Sequence, residues 1–476
     1  MSQTDHATVE VMPEMRAEQR VGGDRKVTVV LGDDIRVSHG GNKDVLSIRL
    51  NRTIRVPDNR DTSSLPPGMG TFPLFRVRDF AHRMPEGMAA KGGVFFPMYQ
   101  REAMWIGFSS RAPFAIKVYA GGVNAVSGLP MAESEKTEGE MLSGGRPVQD
   151  YMVVPEQNWL DGIASEDGKI RQFVAQPRGS GFSVEAQVTG DDRVGGIQIE
   201  LIPARKRLPA EFDVRYQNRS SEVVTRTFNL AERRLTAEST WGDVKKLIRD
   251  EFDIAVEEQV LGNHGSRAAF FDLSDHAKLG DAYFPPGFSA LSVSHEARQC
   301  VVGRRRMAGG PQMVTMAAAA VPENSLGSGP PAEVKEMGLA AGGLIKQTIE
   351  ADTHPADTWD VEASVMMNLQ ILDVESFSAV TGRPPPDTPV SARSYAENGY
   401  PFFEVWGEEK SGVKGDFAEV KSVAQIEAER ARAEGGTARE EESVPVRVLQ
   451  LGRFKSTFRP VGLWEELGVK DGRGPC

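Results

Sequence analysis

The sequence predicts a multi-domain, mainly β protein with an α+β unit at its centre and an α+β region at its C-terminal end. Three observations predict it. The chain has 476 residues, and at roughly 150 residues per domain about three domains are expected. It carries 49 glycines and 29 prolines, which punctuate a chain into turns and short strands. Strong amphipathic helical spacing is concentrated near residues 240–252, between stretches that read as strands.

Residues 1–25 mix charges of both signs with few large apolar groups and are expected to form a mobile tail. A β-sandwich is expected over 26–208. Its first strand is Val27–Leu31, a β-branched run ended by a Gly-Asp-Asp turn, and its second is Val45–Leu50. A loop rich in proline and glycine, 57–70, follows. Further strands are expected at 94–96, 104–108, 114–119, 151–154, 171–174, 182–188 and 197–201. In the 182–188 stretch Phe182, Val184, Ala186 and Val188 alternate with polar residues, the period-two mark of a strand with one buried face. Residues 133–147, rich in Glu and Gly, are an expected exposed loop. Many short strands between turns point to a sandwich or barrel.

The basic run at 203–207 marks a joint, and a second unit is expected over 209–302. A hairpin is expected from 223–228 and 232–237. Thr240 then opens a helix with Asp243 three residues on, a capping-box arrangement with Asp in place of Glu. Val244, Leu247, Ile248 and Phe252 share one helical face. Residues 303–335 read as a linker by composition. The remainder, 336–476, is expected to be α+β: a strand at 364–372, a short helix at 374–381 ended by Gly382, a helix capped by Ser391, a strand at 402–406, an exposed charged segment at 419–443 and a closing strand at 446–451.

The stretch Thr240–Ile248, with Phe252-Asp253-Ile254, Gln259-Val260-Leu261, Leu279-Gly280-Asp281, Phe284 and Leu291-Ser292-Val293, resembles the ubiquitin-like (β-grasp) fold. The resemblance covers about residues 222–300. Two features depart from that fold: Ala255-Val256 stand where prolines are usual, and an insertion rich in Gly, His and Phe occupies 262–278. Ubiquitin ends in a di-glycine used for conjugation; here Gly309-Gly310 follows three arginines and reads as a basic linker. The segments 95–105 and 391–403 also resemble parts of multi-domain microbial proteins, a resemblance that carries no activity.

Composition narrows the function classes. Lys+Arg number 56 and Asp+Glu 67, giving a net charge of −11; such a chain is poorly suited to coat a phosphate backbone, so nucleic-acid binding is not expected. The two cysteines, Cys300 and Cys476, allow neither a disulfide framework nor a multi-cysteine zinc site. The N-terminus lacks the basic and apolar regions of a secretory signal. Apolar runs such as 316–321 fall far short of the ~20 residues of a bilayer span. A cytoplasmic protein without a membrane span is therefore expected.

No motif carries catalysis. Gly168-Lys169 lacks the spacing of a P-loop, and no Gly-x-Gly-x-x-Gly, Gly-x-Ser-x-Gly or His-Glu-x-x-His occurs. His264 and His276 with Asp272 and Asp275 read as a polar loop rather than a metal site, and Cys300 after His295 as a small buried hydrophobe. Asp58-Asn59-Arg60-Asp61 offers oxygen ligands but too few for a dedicated calcium loop, and reads as an Asx-rich turn. The candidate interaction surface is Tyr99, Arg101, Glu102 and Trp105, the densest mixture of aromatic and charged groups. No cofactor is expected. The reading is a protein-binding or scaffold protein, more readily non-enzymatic. The alternatives are a structural subunit of a homo-oligomeric assembly, or an enzyme of unrecognised class with a site at the sandwich loops or a domain interface.

Overall fold

The computed structural model describes residues 7–9, 27–32, 34–39, 42–134, 149–164, 169–206, 208–217, 223–263, 275–282, 284, 290–295, 333–405, 413, 415–417, 419–437 and 441–451. Most of the expected tail, loop 133–147, insertion 262–278 (with His264 and Asp272) and linker 303–335 lies outside these residues, as do Cys300, Arg304–Gly310 and Cys476.

Strands dominate, and most belong to one large, largely antiparallel sheet system. One tract runs Met152–Val154, Phe114–Ala120, Ile197–Pro203, Val365–Asp373 and Val94–Met98, the last pair being parallel. The other runs Val27–Leu31, Ile35–His39, Asn42–Thr53, Ala103–Ser110, Ile170–Pro177 and Glu336–Ile345. Glu336 and Met337 pair with Leu372 and Ile371, which joins the tracts. Alternation decides which side chains enter the core. Phe114, Ile116, Val118 and Ala120 join the main apolar cluster with Met367, Leu369 and Ile371, while Ala115 joins a separate cluster on the opposite face.

The expected break at 335 does not separate two sheets. Glu336–Ile345 is buried at every position and pairs with Ile170–Pro177, and Val365–Asp373 pairs with Ile197–Pro203. Residues 336–373 thus complete the sheets begun before residue 208, and residues 209–302 are an insertion between two strands of one sheet system. Composition marks a linker but cannot say whether the chain returns to the sheet it left. Small residues make the return fit: a Cβ at Gly343 would lie 2.3 Å from the Pro57 carbonyl oxygen.

The insertion has its own sheet, ordered Val223–Asn229, Glu211–Gln217, Ala290–His295, Gln259–Asn263, with a parallel central pair and antiparallel outer pairs. The helix Trp241–Phe252 packs on it, burying Trp241, Val244 and Ile248 in a core with Phe212, Val214, Phe228, Leu261 and Val293. Thr240 Oγ1 accepts from Asp243 N (3.3 Å), and Thr240 N donates to Asp243 Oδ2 (2.9 Å). That backbone donor, with Lys246 Nζ, draws the Asp243 carboxyl down to about 2.

Two local expectations are corrected. The hairpin partner of 223–229 is Glu211–Gln217, not 232–237, because Phe212, Val214 and Tyr216 alternate onto the insertion core while 231–239 folds into turns. Residues 184–189 form a short helix rather than a strand: Ser183 Oγ accepts from Ala186 N (2.9 Å), and Gly190 closes the helix at φ 78°. Val184 and Val188 meet the core at helical i, i+4 spacing, which over so short a run also satisfies a period of two.

Toward the C-terminus, Asp373 caps the helix Val374–Thr381, Ser391 caps Ala392–Glu397, and Pro401–Val405 pairs in parallel with Arg447–Leu451. Phe402, Phe403 and Leu449 pack against Ile345 of the main sheet and Ile54, Val56 and Leu65 of the segment that follows Asn42–Thr53. Among the described residues no helix is long and apolar enough to cross a membrane.

Candidate functional site

Tyr99 to Glu102 form a tight turn between Val94–Met98 and Ala103–Ser110, closed by Glu102 N to Tyr99 O at 3.0 Å. Arg101 sits at φ 66°, a conformation unusual for a long side chain, while its N–H donates to Ala175 O (2.8 Å). Glu102 is only 3% exposed. It accepts from Arg52 Nε at 2.6 Å and from Tyr99 N at 2.9 Å. Burial pushes its carboxyl above the usual range, against the opposing pull of Arg52.

Three of the four expected surface residues therefore meet, but their partners are other parts of this chain. Tyr99 Oη donates to Pro386 O (2.8 Å), Arg52 Nη2 to Asp387 O (2.6 Å), and Arg101 pairs with Glu427. Trp105 stands apart, half-buried further along its strand, where a Cβ on Gly107 would come within 3.0 Å of its ring. Sequence reasoning missed Arg52, Pro386, Asp387 and Glu427, since none is a chain neighbour of the turn.

The 58–61 turn is engaged in the same way. Asp61 N donates to Asn59 Oδ1 (2.9 Å), the expected Asx turn. Asp58 Oδ2 accepts from Ala424 N (2.8 Å) at the start of the helix Val423–Ala433, and burial pushes the Asp58 carboxyl up. Asn59 Nδ2 donates to Glu441 O (3.0 Å), Arg55 Nη2 holds Glu441 at 2.6 Å, and Ser443 Oγ donates to Asp61. These groups clasp Ala424, Glu441 and Ser443 of the chain's own C-terminal region. The Arg101–Glu427 pair is 46% and 38% exposed, and such a pair contributes at most about 1 kcal/mol.

A second polar cluster lies on the sheet face away from the main core. Asp352 accepts from Tyr151 Oη (2.8 Å), Trp359 Nε1 (3.0 Å), His354 N (2.8 Å) and His354 Nδ1 (2.9 Å). Burial acts to raise the Asp352 carboxyl, but these donors together hold it below the usual carboxylate range. The same hub fastens residues 352–359 over the sheet and fixes the His354 ring. Nearby in sequence to Tyr151, Asp150 holds the buried Lys117 ammonium at 3.0 Å; burial alone would lower that amine, and the carboxylate carries it above its ordinary value instead. Among the described residues no three His, Cys, Asp or Glu side chains are grouped to hold a metal ion.

His39, on the strand Ile35–His39, is buried beside Phe114, and burial, with Lys206 adding to it against Asp360, pushes its imidazole down to about 4. The folded state thus disfavours the protonated ring. Stability is complete above about pH 6.5 and falls as the pH drops toward 4, by up to about 3 kcal/mol. Urea unfolding at pH 7 and pH 5 measures this, and a His39→Gln chain is expected to lose most of the difference. An unchanged pH slope in that variant sinks the assignment.

No protein-family model and no curated protein matches the chain.

Proposed function

We propose that the protein is a multi-domain binding or scaffold protein in which a β-sandwich framework presents an inserted ubiquitin-like module to a protein partner. The observation that carries this reading is an edge of the inserted sheet that is unpaired among the described residues. Val223–Asn229 pairs with Glu211–Gln217 over seven residues in continuous register and is the outermost strand of its sheet. It contains no proline or lysine and its register is unbroken, its one charged side chain is Arg226, and Val223 is 58% exposed. An edge of this kind offers a row of main-chain donors and acceptors to an incoming extended segment.

The sheet order, with its parallel central pair and one packed helix, supports the ubiquitin-like assignment. The separate core of the module supports its acting as a unit presented by the framework. Two cysteines in 476 residues support a reducing compartment such as the cytoplasm, and the net charge of −11 supports a protein rather than a nucleic-acid partner.

The test is affinity capture from native lysate with the full chain and with a Val223→Lys/Thr225→Lys chain. Both substitutions lie on exposed positions of the edge and introduce the charges that natural edges use against pairing. Recovery of the module-dependent partner is expected to fall about tenfold, with the thermal midpoint unchanged. Equal recovery from both chains rejects the edge as the binding surface.

A further inference from the structure

The helix Val423–Ala433 lies against the strand Glu336–Ile345, yet buries only Val423 of its own side chains. Its remaining attachments are polar. Glu427 pairs with Arg101, Arg430 Nη2 donates to Ser180 O (2.8 Å), and the Arg430 guanidinium sits 4.3 Å from the Phe182 ring centre. Lys421 N and O exchange hydrogen bonds with the Gln187 amide at 2.7 and 3.1 Å. Larger apolar anchors lie on either side of the helix: Phe417 and Val420 enter the main core before it, and Leu449 packs on the framework after it.

Two buried polar atoms without partners lie close in sequence to these contacts, one on Ser180 itself and one on Gln176, whose amide meets Gln100 beside Arg101. Gln176 is 1% exposed, and while its Oε1 accepts from Gln100 Nε2 at 3.2 Å, its Nε2 has no acceptor. The Ser180 hydroxyl is likewise buried without a hydrogen bond. A buried donor with no acceptor is costly to leave unmade and is rare in native proteins. Arg101 adds a cation carried on a left-handed backbone, a geometry that surrounding structure must enforce.

We propose that this helix is a displaceable lid, and that Glu427 stands in for a carboxylate of an acidic peptide that binds Arg101 when the lid lifts. Arg101 supplies the charge, and the Gln176 amide and Ser180 hydroxyl supply further hydrogen-bonding groups that the closed state leaves unused. An acidic peptide fits better than a polyphosphate. The resident occupant is a glutamate carboxylate carried on a helix. The lid's ion pair to the framework, Arg101–Glu427, is exposed, and its other tethers are the Arg430 and Lys421 contacts and the hydrogen bond from Ala424 N to Asp58, so a competitor for Arg101 has a modest free-energy difference to overcome.

The experiment measures binding of a fluorescein-labelled hexaglutamate peptide to the full chain by anisotropy, alongside amide hydrogen exchange. Glu427→Gln and, separately, Arg430→Ala each release one anchor and are expected to tighten binding about tenfold. Exchange at 99–102 and 176–182 is expected to rise in both. Arg101→Gln introduced into the Glu427→Gln chain is expected to abolish the gain. Glu429→Gln, which removes a carboxylate paired with Lys421 instead, is expected to change nothing. Unchanged binding and exchange in both released chains overturn the lid. A gain that survives Arg101→Gln, or inorganic phosphate competing as well as unlabelled peptide, overturns the acidic-peptide site.

Discussion

A chain ending at residue 335 is expected to lose the folded N-terminal sheets altogether, whereas a chain lacking only 209–302 is expected to keep them. Truncation removes Met337, Leu339, Leu344, Ile345, Met367, Leu369 and Ile371, every one of them buried. Burial of each large apolar side chain contributes roughly 1.5–3 kcal/mol, so losing these seven forfeits about 10–20 kcal/mol, as much as or more than the roughly 5–15 kcal/mol by which a typical protein is stable. The cut also strips Ile170–Pro177, Ile197–Pro203 and Val94–Met98 of one neighbour each, which turns paired strands into open edges prone to aggregation. Deleting 209–302 removes a unit with its own core and leaves 303–335 to connect the flanking strands. Amide exchange at Phe114–Ala120, which pairs with Ile197–Pro203, reports the outcome without interference from the inserted module. Native protection there in the truncated chain refutes the shared sheet, and lost protection in the internal deletion refutes the insertion.

Glu102→Ala is expected to destabilise the protein by about 3–5 kcal/mol, the usual cost of removing one partner of a buried ion pair. Arg52 is only 12% exposed and would keep its charge while losing its 2.6 Å partner. The Tyr99 N–H would lose its acceptor in the same step. Replacing both Arg52 and Glu102 with methionine is expected to recover a large part of the loss, since two apolar groups leave no stranded charge. Urea unfolding of the single and double variants makes the comparison. A loss below about 1 kcal/mol in Glu102→Ala, the range of an exposed pair, rejects the buried-pair account.

Local patterns were legible wherever the determinant lay within a few residues. Thr240 and Asp243 announce the capped start of a helix, and Val244 and Ile248 mark its buried face, because a helix joins residues three and four apart. Val365 to Ile371 alternate because a strand does. The same rules misled where a run was short: Val184 and Val188 satisfy both periods, and the Ser183 cap and Gly190 decide between them. The hairpin error has a similar root, since β-branched residues at 223–228 mark a strand but not its partner.

The candidate surface shows the same limit. Tyr99, Arg101 and Glu102 stand out by composition, and the structure does bring them together. Their chemistry is set by Arg52, Pro386 and Glu427, residues that only folding delivers to the turn. The Asp352 hub was invisible for the same reason: two of its donors, Tyr151 and Trp359, come from different parts of the chain, and no spacing rule links them.

The mainly β character, the capped central helix, the Asx turn at 58–61 and the net charge of −11 were all determined by the sequence alone. They follow from backbone preference, side-chain periodicity and net charge, which act over short range or over the whole composition. Tertiary structure alone decided that residues 336–373 return to the sheets left at residue 208, and that Pro386 and Glu427 meet the turn that looked like an exposed surface. Strand pairing is a contact between segments far apart in the chain, and its register is set by which faces bury together, so it is written in the packing and not in any local run of residues.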